Sequence, residues 1–292
     1  MLVLDLTRLL PGPLAGRLLA DLGYRVLRLV PPSGDLLELA APDTYEWLHN
    51  GKQSEVVDLK SEQGRERLRE LASEATILLE SNRPGVLEKL GVGPDELRAI
   101  NPRLTYVRLA NYREPAFREA AGHDLACLAA DGLLDRFGAA TATMQIADGA
   151  AAFWIVIAAQ EGMRRGGGFF EVYLAETARA LAYPVVPGLD GERLCYSVYR
   201  AAEGRVVLAA VEPHLWQRFC SAVERPDWLP EAYSAASSEN PFWLDVCAVF
   251  ASRSAVEWEA WALQHAVPLR AVAAPRVPVG LLPWAEGTEQ RE

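Results

Sequence analysis

Residues 2–30, LVLDLTRLLPGPLAGRLLADLGYRVLRLV, decide the fold class. Residues 2–6 are a short apolar run with the character of a buried strand. Pro11-Gly12-Pro13 turns the chain, and the apolar spacing from there to about Gly23 is helical. Residues 24–30 return to a β-branched and leucine-rich run, stopped by Pro31-Pro32-Ser33-Gly34. Strand, helix and strand joined by tight turns predict a parallel α/β sheet.

The same alternation predicts strands over residues 55–59, 75–79, 104–109 and 169–174. Ser61 is placed to cap a charged helix from Glu62 to about Ala72. A helical stretch broken by Gly91-Val92-Gly93-Pro94 follows the fourth strand, and two apolar helices are expected near Asp124 to Phe137 and Gly149 to Met163. Gly166-Gly167-Gly168 reads as the turn into the sixth strand rather than as a phosphate loop, because no strand precedes it. Near Tyr183 prolines and glycines break the pattern. Beyond it a hairpin (196–199 with 205–210) and helices around 215–223 and 243–265 predict a smaller α+β domain. The expected organisation is a large Rossmann-like α/β domain over 1–187, the small domain over 188–265, and a segment over 266–292 returning to the large one.

Composition narrows the function without naming it. The 292 residues are half apolar and 23% charged, with a net charge of −10. That excess of acid argues against nucleic acid or an anionic membrane as partner, and a polyanionic ligand would need a local basic patch. Cys127, Cys195, Cys220 and Cys247 lack metal-ligand or disulfide spacing, as do His49, His214 and His265, so no metal is expected. Met1 leads straight into a strand, and the longest apolar run, residues 150–159, is too short to span a bilayer. A soluble, cytoplasmic protein is the expectation. Trp154 and Trp216 read as packing residues, and no G-x-S-x-G elbow is present.

Several short motifs in order carry more. Leu4-Asp5-Leu6-Thr7, Pro11-Gly12-Pro13 and Leu19-Ala20-Asp21-Leu22-Gly23 are followed by Asn50, Lys52 and Asp58-Leu59-Lys60. Glu80-Ser81-Asn82-Arg83-Pro84-Gly85-Val86-Leu87-Glu88-Lys89-Leu90-Gly91 is the most specific string. Ala121-Gly122-His123-Asp124, Ile146-Ala147-Asp148 and Ala210-Val211-Glu212-Pro213 complete the set. Together they resemble the class III (CaiB/BaiF-type) CoA-transferase family, nearest to its α-methylacyl-CoA racemase branch, which carries histidine where transferases commonly carry tyrosine.

The resemblance implies a coenzyme A site in the large domain, with the acyl-CoA as small-molecule substrate and no cofactor beyond coenzyme A. Arg83 and Lys89 would meet its phosphates, since a guanidinium fork matches phosphate oxygens. Leu78 and the backbone near Val57 would flank the adenine, and Asp124 would belong to the same binding set. Outside such a motif Arg83 and Lys89 would read as solvated surface charge, and a lone histidine is more often structural. His123 and Asp148 would be the acid/base pair on opposite sides of carbon 2 of the acyl thioester, with Glu212 orienting the His123 imidazole. A backbone N–H at Asp148 would be available to the thioester oxygen. The family also implies an interlocked homodimer. Two other readings stay open: CoA transfer between carboxylic acids through an Asp148 anhydride, and a non-catalytic CoA-binding homologue.

The chain departs from the family in its loops. Ala110-Asn111-Tyr112-Arg113-Glu114-Pro115 stands where a glycine-rich loop is usual, Gly149-Ala150-Ala151-Ala152 follows the candidate acid, and Glu192 replaces a glycine. Val30 and Pro31 occupy positions where an acid and, in the racemase branch, an arginine are usual.

Overall fold

The computed structural model of the chain describes residues 1–130, 132–134, 144–182, 186, 188–274 and 281–283. The chain forms two compact units, Met1–Tyr183 with Pro278–Glu292, and Pro184–Val277.

The first unit runs β1 (Leu2–Leu6), α1 (Pro11–Asp21), β2 (Arg25–Val30), α2 (Leu36–Ala40), α3 (Pro42–His49), β3 (Gln53–Val56), α4 (Glu62–Glu74), β4 (Ile77–Glu80), α5 (Val86–Lys89), α6 (Pro94–Ile100) and β5 (Thr105–Ala110). It continues through α7 (Asp124–Ala130), α8 (Ile146–Arg165), β6 (Gly168–Tyr173) and α9 (Leu174–Ala182). All six strands are parallel, in the order β3-β2-β1-β4-β5-β6. This is the doubly wound order, and its direction reverses between β1 and β4.

Side chains leave a strand to alternate faces, and the central strands β1, β4 and β5 are covered on both, which is why they read as largely apolar runs. Val3, Ile77, Leu79 and Val107 pack on one face with Leu19 of α1 and Ala151, Ile155 and Ala178 of α8 and α9. Leu4, Leu27, Leu78 and Tyr106 pack on the other with Leu68 of α4 and Leu97 of α6. Leu281 and Leu282 return to the first of these layers, and the Leu281 N–H donates to Asp21 Oδ2 at 3.2 Å.

Two of the motifs meet inside this unit. Lys52, just before β3, reaches back to Asp5 on β1 (Nζ to Oδ2, 3.1 Å), and both side chains are fully buried. The other two ammonium protons face the Pro13 carbonyl at 2.7 Å and His49 Nδ1 at 3.4 Å. Asp5 Oδ1 accepts from the Thr7 backbone N–H at 3.0 Å and from the Thr7 hydroxyl. Gly16 leaves room for the pair, because a Cβ there would stand 2.5 Å from Asp5 Oδ2 and 2.8 Å from Lys52 Nζ. Burial first, and the charges of Lys52 and Arg28 second, push the His49 pKa down to about 3. His49 is therefore neutral beside the buried pair.

The third strand lies two residues earlier than its apolar run predicts. Asp58 explains the shift: its carboxylate accepts from the Lys60 N–H at 3.0 Å and its carbonyl from the Ser61 hydroxyl at 2.8 Å, so the residues after Val56 become the turn that caps α4. Ser61 caps as expected, accepting from the Gly64 N–H at 3.0 Å. Helix α8 begins three residues before its apolar run and stops at Gly166 in the left-handed conformation. The end of the helix expected over 124–137 lies outside the described residues.

The second unit holds the antiparallel hairpin β7 (Tyr196–Arg200) and β8 (Arg205–Ala209), joined by β9 (Leu269–Ala271) against β8. The pairing of β9 keeps the chain in this unit beyond residue 265, where a return to the large domain was expected. Around the sheet pack α10 (Pro213–Ala222), α11 (Pro241–Phe250) and α12 (Ala255–His265) over a core of Trp216, Phe219, Trp228, Phe250 and Trp258. The helical stretch 243–265 is two helices, because Ser254 and Glu257 form a capping box that starts the second. Among the described residues no helix is long and apolar enough to cross a membrane.

Candidate active site

The strand order places the carboxyl ends of β1, β4 and β5 on one side of the first unit; the Ser81–Gly85 turn leaves β4 there, and the segment carrying His123 leaves β5. At the end of β4, Glu80 is buried, and its carboxylate accepts from the Asn82 backbone N–H at 2.6 Å and side-chain Nδ2 at 3.2 Å. This folds the chain into the Ser81–Gly85 turn. Gly85 has a φ of 87°, which is why a glycine stands there before α5.

Arg108 in β5 holds the segment from beneath. Its guanidinium is ion-paired with Glu80 and lies 2.8 Å from Glu88 of α5. Arg83 and Lys89 are both exposed, and no side-chain partner engages either among the described residues.

Leu78 is fully enclosed, at 0% exposure, and faces the core under the sheet. It presents no surface to a ligand. Val57 follows β3 and lines a groove of about 630 Å³ whose rim carries Glu55, Asp58, Glu66 and Glu70. The cation of that rim, Arg67, is paired with Glu55 at 2.8 Å and Glu70 at 3.2 Å.

The loop after β5 leads to His123. Asn111 shapes it: its side-chain Nδ2 donates to the Ala120 carbonyl at 3.0 Å, and its own carbonyl accepts from the Ala175 N–H at 3.0 Å. Arg118 Nη2 donates to both carboxylate oxygens of Glu171 (2.6 and 2.8 Å) and pins the same loop to β6. A cleft of about 330 Å³ runs between Pro84 and this loop, lined by Pro115, Ala116, Arg118, Glu119 and Ala120. It lies between the residue that follows Arg83 and the loop that precedes His123.

His123 is exposed and precedes α7, its carbonyl accepting the first helical bond from Cys127 at 3.0 Å. The next residue, Asp124, is buried, and its Oδ1 accepts from the backbone N–H of Asp148 at 2.9 Å. That bond brings the starts of α7 and α8, and so His123–Asp124 and Asp148, into one neighbourhood. It also corrects one expectation: the Asp148 N–H is occupied by Asp124, and the Gly149 N–H by the Gln145 carbonyl at 2.9 Å, so neither is open to a thioester oxygen. From the other side the Thr177 hydroxyl lies 3.1 Å from the Ala147 carbonyl, anchoring the first turn of α8 on α9.

Asp148 is half-buried, and its pKa is raised to about 7, first by burial and then by the negative charge of Asp124. A helix N-terminus favours the charged form of an acid, but here desolvation and the neighbouring carboxylate win. A carboxyl that titrates near neutrality can give and take a proton under one condition, which is what an acid/base group needs.

Glu212 lies in the second unit as the residue preceding α10, exposed and making no capping bond. Asn111, Arg118 and Thr177 had no sequence signal. Asn111 stood in an altered loop, and the other two belong to no motif. Trp154 also departs from its packing role. It is 37% exposed and lines an apolar groove of about 370 Å³ with Ile157, Phe170 and Val172, whereas Trp216 is buried with its indole N–H on the Trp228 carbonyl at 3.0 Å. Among the described residues no group of three or more His, Cys, Asp or Glu is placed to hold a metal ion.

A doubly wound sheet with its motif residues at the carboxyl ends of the strands has close relatives. The chain belongs to CoA-transferase family III, which it matches over residues 1–277. It is 29% identical to a probable fatty acyl-CoA transferase of Mycobacterium tuberculosis, over 88% of this chain and 77% of that one. The identity to the α-methylacyl-CoA racemase of Homo sapiens is 31%, over 88% and 72% of the two chains. A crystal structure of the Mycobacterium tuberculosis protein superposes with a TM-score of 0.82 at 28% identity, covering 94% of this chain and 82% of that one. Racemases and transferases are both among the relatives, which include a succinyl-CoA:mesaconate CoA-transferase of Haloarcula hispanica, 27% identical over 80% of this chain and 69% of that one.

Proposed function

We propose that the protein is an acyl-CoA racemase or epimerase acting at carbon 2 of a 2-methylacyl-CoA or similar thioester. The observation that carries this reading is the raised Asp148 carboxyl, about 7, joined through Asp124 to the segment bearing His123. One of these two groups removes the proton of carbon 2, the thioester carbonyl takes on enolate character, and the other group returns a proton to the opposite face. Glu212 is our choice for the carboxylate that orients the His123 imidazole, supplied by the same chain or by the partner copy of a homodimer. Coenzyme A would enter along the Arg83 turn and the cleft beside Pro84, with Lys89 near its phosphates.

The test is proton NMR of the full chain with a 2-methylacyl-CoA in D₂O. Loss of the carbon 2 proton signal is expected, and its retention in Asp148→Asn and His123→Ala. Wild-type protein that binds coenzyme A but exchanges nothing would sink the racemase.

The transferase relatives favour a second reading, in which Asp148 attacks the acyl thioester, releases the CoA thiolate and holds the acyl group as a mixed anhydride. It predicts acyl exchange that requires an acceptor acid, with His123 dispensable.

A further inference from the structure

Between β1 and β4 the sheet order reverses, so the loops leaving their carboxyl ends, residues 7–10 and 81–85, border one crevice. These loops are tied to each other. The backbone N–H of Arg8 donates to Ser81 Oγ at 3.2 Å, and Arg8 Nη2 donates to Asn82 Oδ1 at 3.4 Å. Asn82 is itself fixed by Glu80, so Arg8 is registered against the residue next to Arg83. Both arginines are exposed.

In folds of this strand order the diphosphate of a nucleotide is usually held by N–H groups at the start of the first helix. Helix α1 has little to offer. Pro11 and Pro13 carry no N–H, and the Leu14 N–H is taken by the Leu10 carbonyl at 2.9 Å. The turn is also closed: a Cβ on Gly12 would stand 2.2 Å from Thr7 Cβ. Of the first turn this leaves the Gly12 N–H, so a diphosphate in this crevice draws chiefly on side-chain cations.

We propose that Arg8 is a binding residue for the diphosphate of coenzyme A, acting with Arg83 across the crevice between β1 and β4. The proposal rests on coenzyme A being the ligand. The contact with Asn82 uses one of the five guanidinium donors and aims the fork while leaving the others for phosphate oxygens. The acidic balance of the chain, −10, makes such a local pair of cations necessary for a polyanion to bind.

The test is calorimetry on the full chain, comparing wild type, Arg8→Met and Arg8→Lys, with coenzyme A, dephospho-coenzyme A and, by competition, pantetheine. Dephospho-coenzyme A keeps the diphosphate and pantetheine has none. Arg8→Met should weaken the first two by about 10- to 100-fold and leave pantetheine unchanged, with Arg8→Lys in between. Wild-type protein that does not bind coenzyme A would overturn the ligand itself. Wild-type binding matched by Arg8→Met would overturn the role of Arg8 alone. A loss confined to coenzyme A would move Arg8 to the 3′-phosphate, and an equal loss for pantetheine would reduce it to a loop-shaping residue; either result rejects the diphosphate assignment.

Discussion

Asp5 and Asp148 are both acids in motifs of the first unit, and the fold treats them in opposite ways. Asp5 is fully buried, yet every oxygen is matched: Lys52 holds one side, Thr7 the other, and Gly16 leaves the space. Asp148 is only half-buried, but its nearest charge is another carboxylate, Asp124, and no cation answers it among the described residues. A compensated charge fixes the meeting of two chain segments. An uncompensated one is pushed to about 7, the range in which a carboxyl both gives and takes a proton. Burial alone does not mark a functional acid; the sign of its neighbour does.

This contrast can be broken by substitution. Asp148→Asn should lower carbon 2 exchange by about 10²- to 10⁴-fold, the usual contribution of a positioned acid/base group, measured by the NMR assay. Lys52→Met should destabilise the protein by about 3–5 kcal/mol in urea unfolding, because Asp5 is left buried and unpaired. Adding Asp5→Leu should recover most of that loss, and a double variant no more stable than Lys52→Met would show that the pair is not the cause.

Asp148→Asn should have the reverse effect on stability. The folded pKa of Asp148 is about 7, above the ordinary carboxylate value, so the folded state binds the proton more tightly than the unfolded one. The stabilising contribution is complete below about pH 4 and is lost as pH rises through 7. The variant should therefore be more stable than wild type at pH 8, by up to about 4 kcal/mol, with the difference gone at pH 4. The smallest effect belongs to Asp124→Asn. It keeps an acceptor for the Asp148 N–H and removes the like charge, so the limb of the pH–rate profile due to Asp148 should move toward acid by about half a unit to one unit.

Much of the first unit was legible because its signals are local. Apolar runs placed five of the six strands within two residues, and Ser61 marked its helix through a cap that needs only three neighbours. The third strand was misplaced because Asp58 and Ser61 together draw the backbone after Val56 into a turn, a set of hydrogen bonds that apolarity does not register. The site was legible only as a set of residues. Resemblance proposed His123, Asp148 and Arg83 for the site, and also Leu78, whose side chain the pleat turns into the core.

By itself the sequence determined the alternation of strands and helices, the family, and the short motifs, because each depends on residues close together in the chain. Tertiary structure alone decided what those motif residues do. Lys52 meets Asp5 from 47 positions away, Asp124 reaches the Asp148 N–H from 24, and Arg8 reaches Asn82 from 74. The physical reason is that charge, burial and donor pairing are properties of the folded neighbourhood, and a string of residues does not carry them until the sheet order has chosen which loops stand side by side.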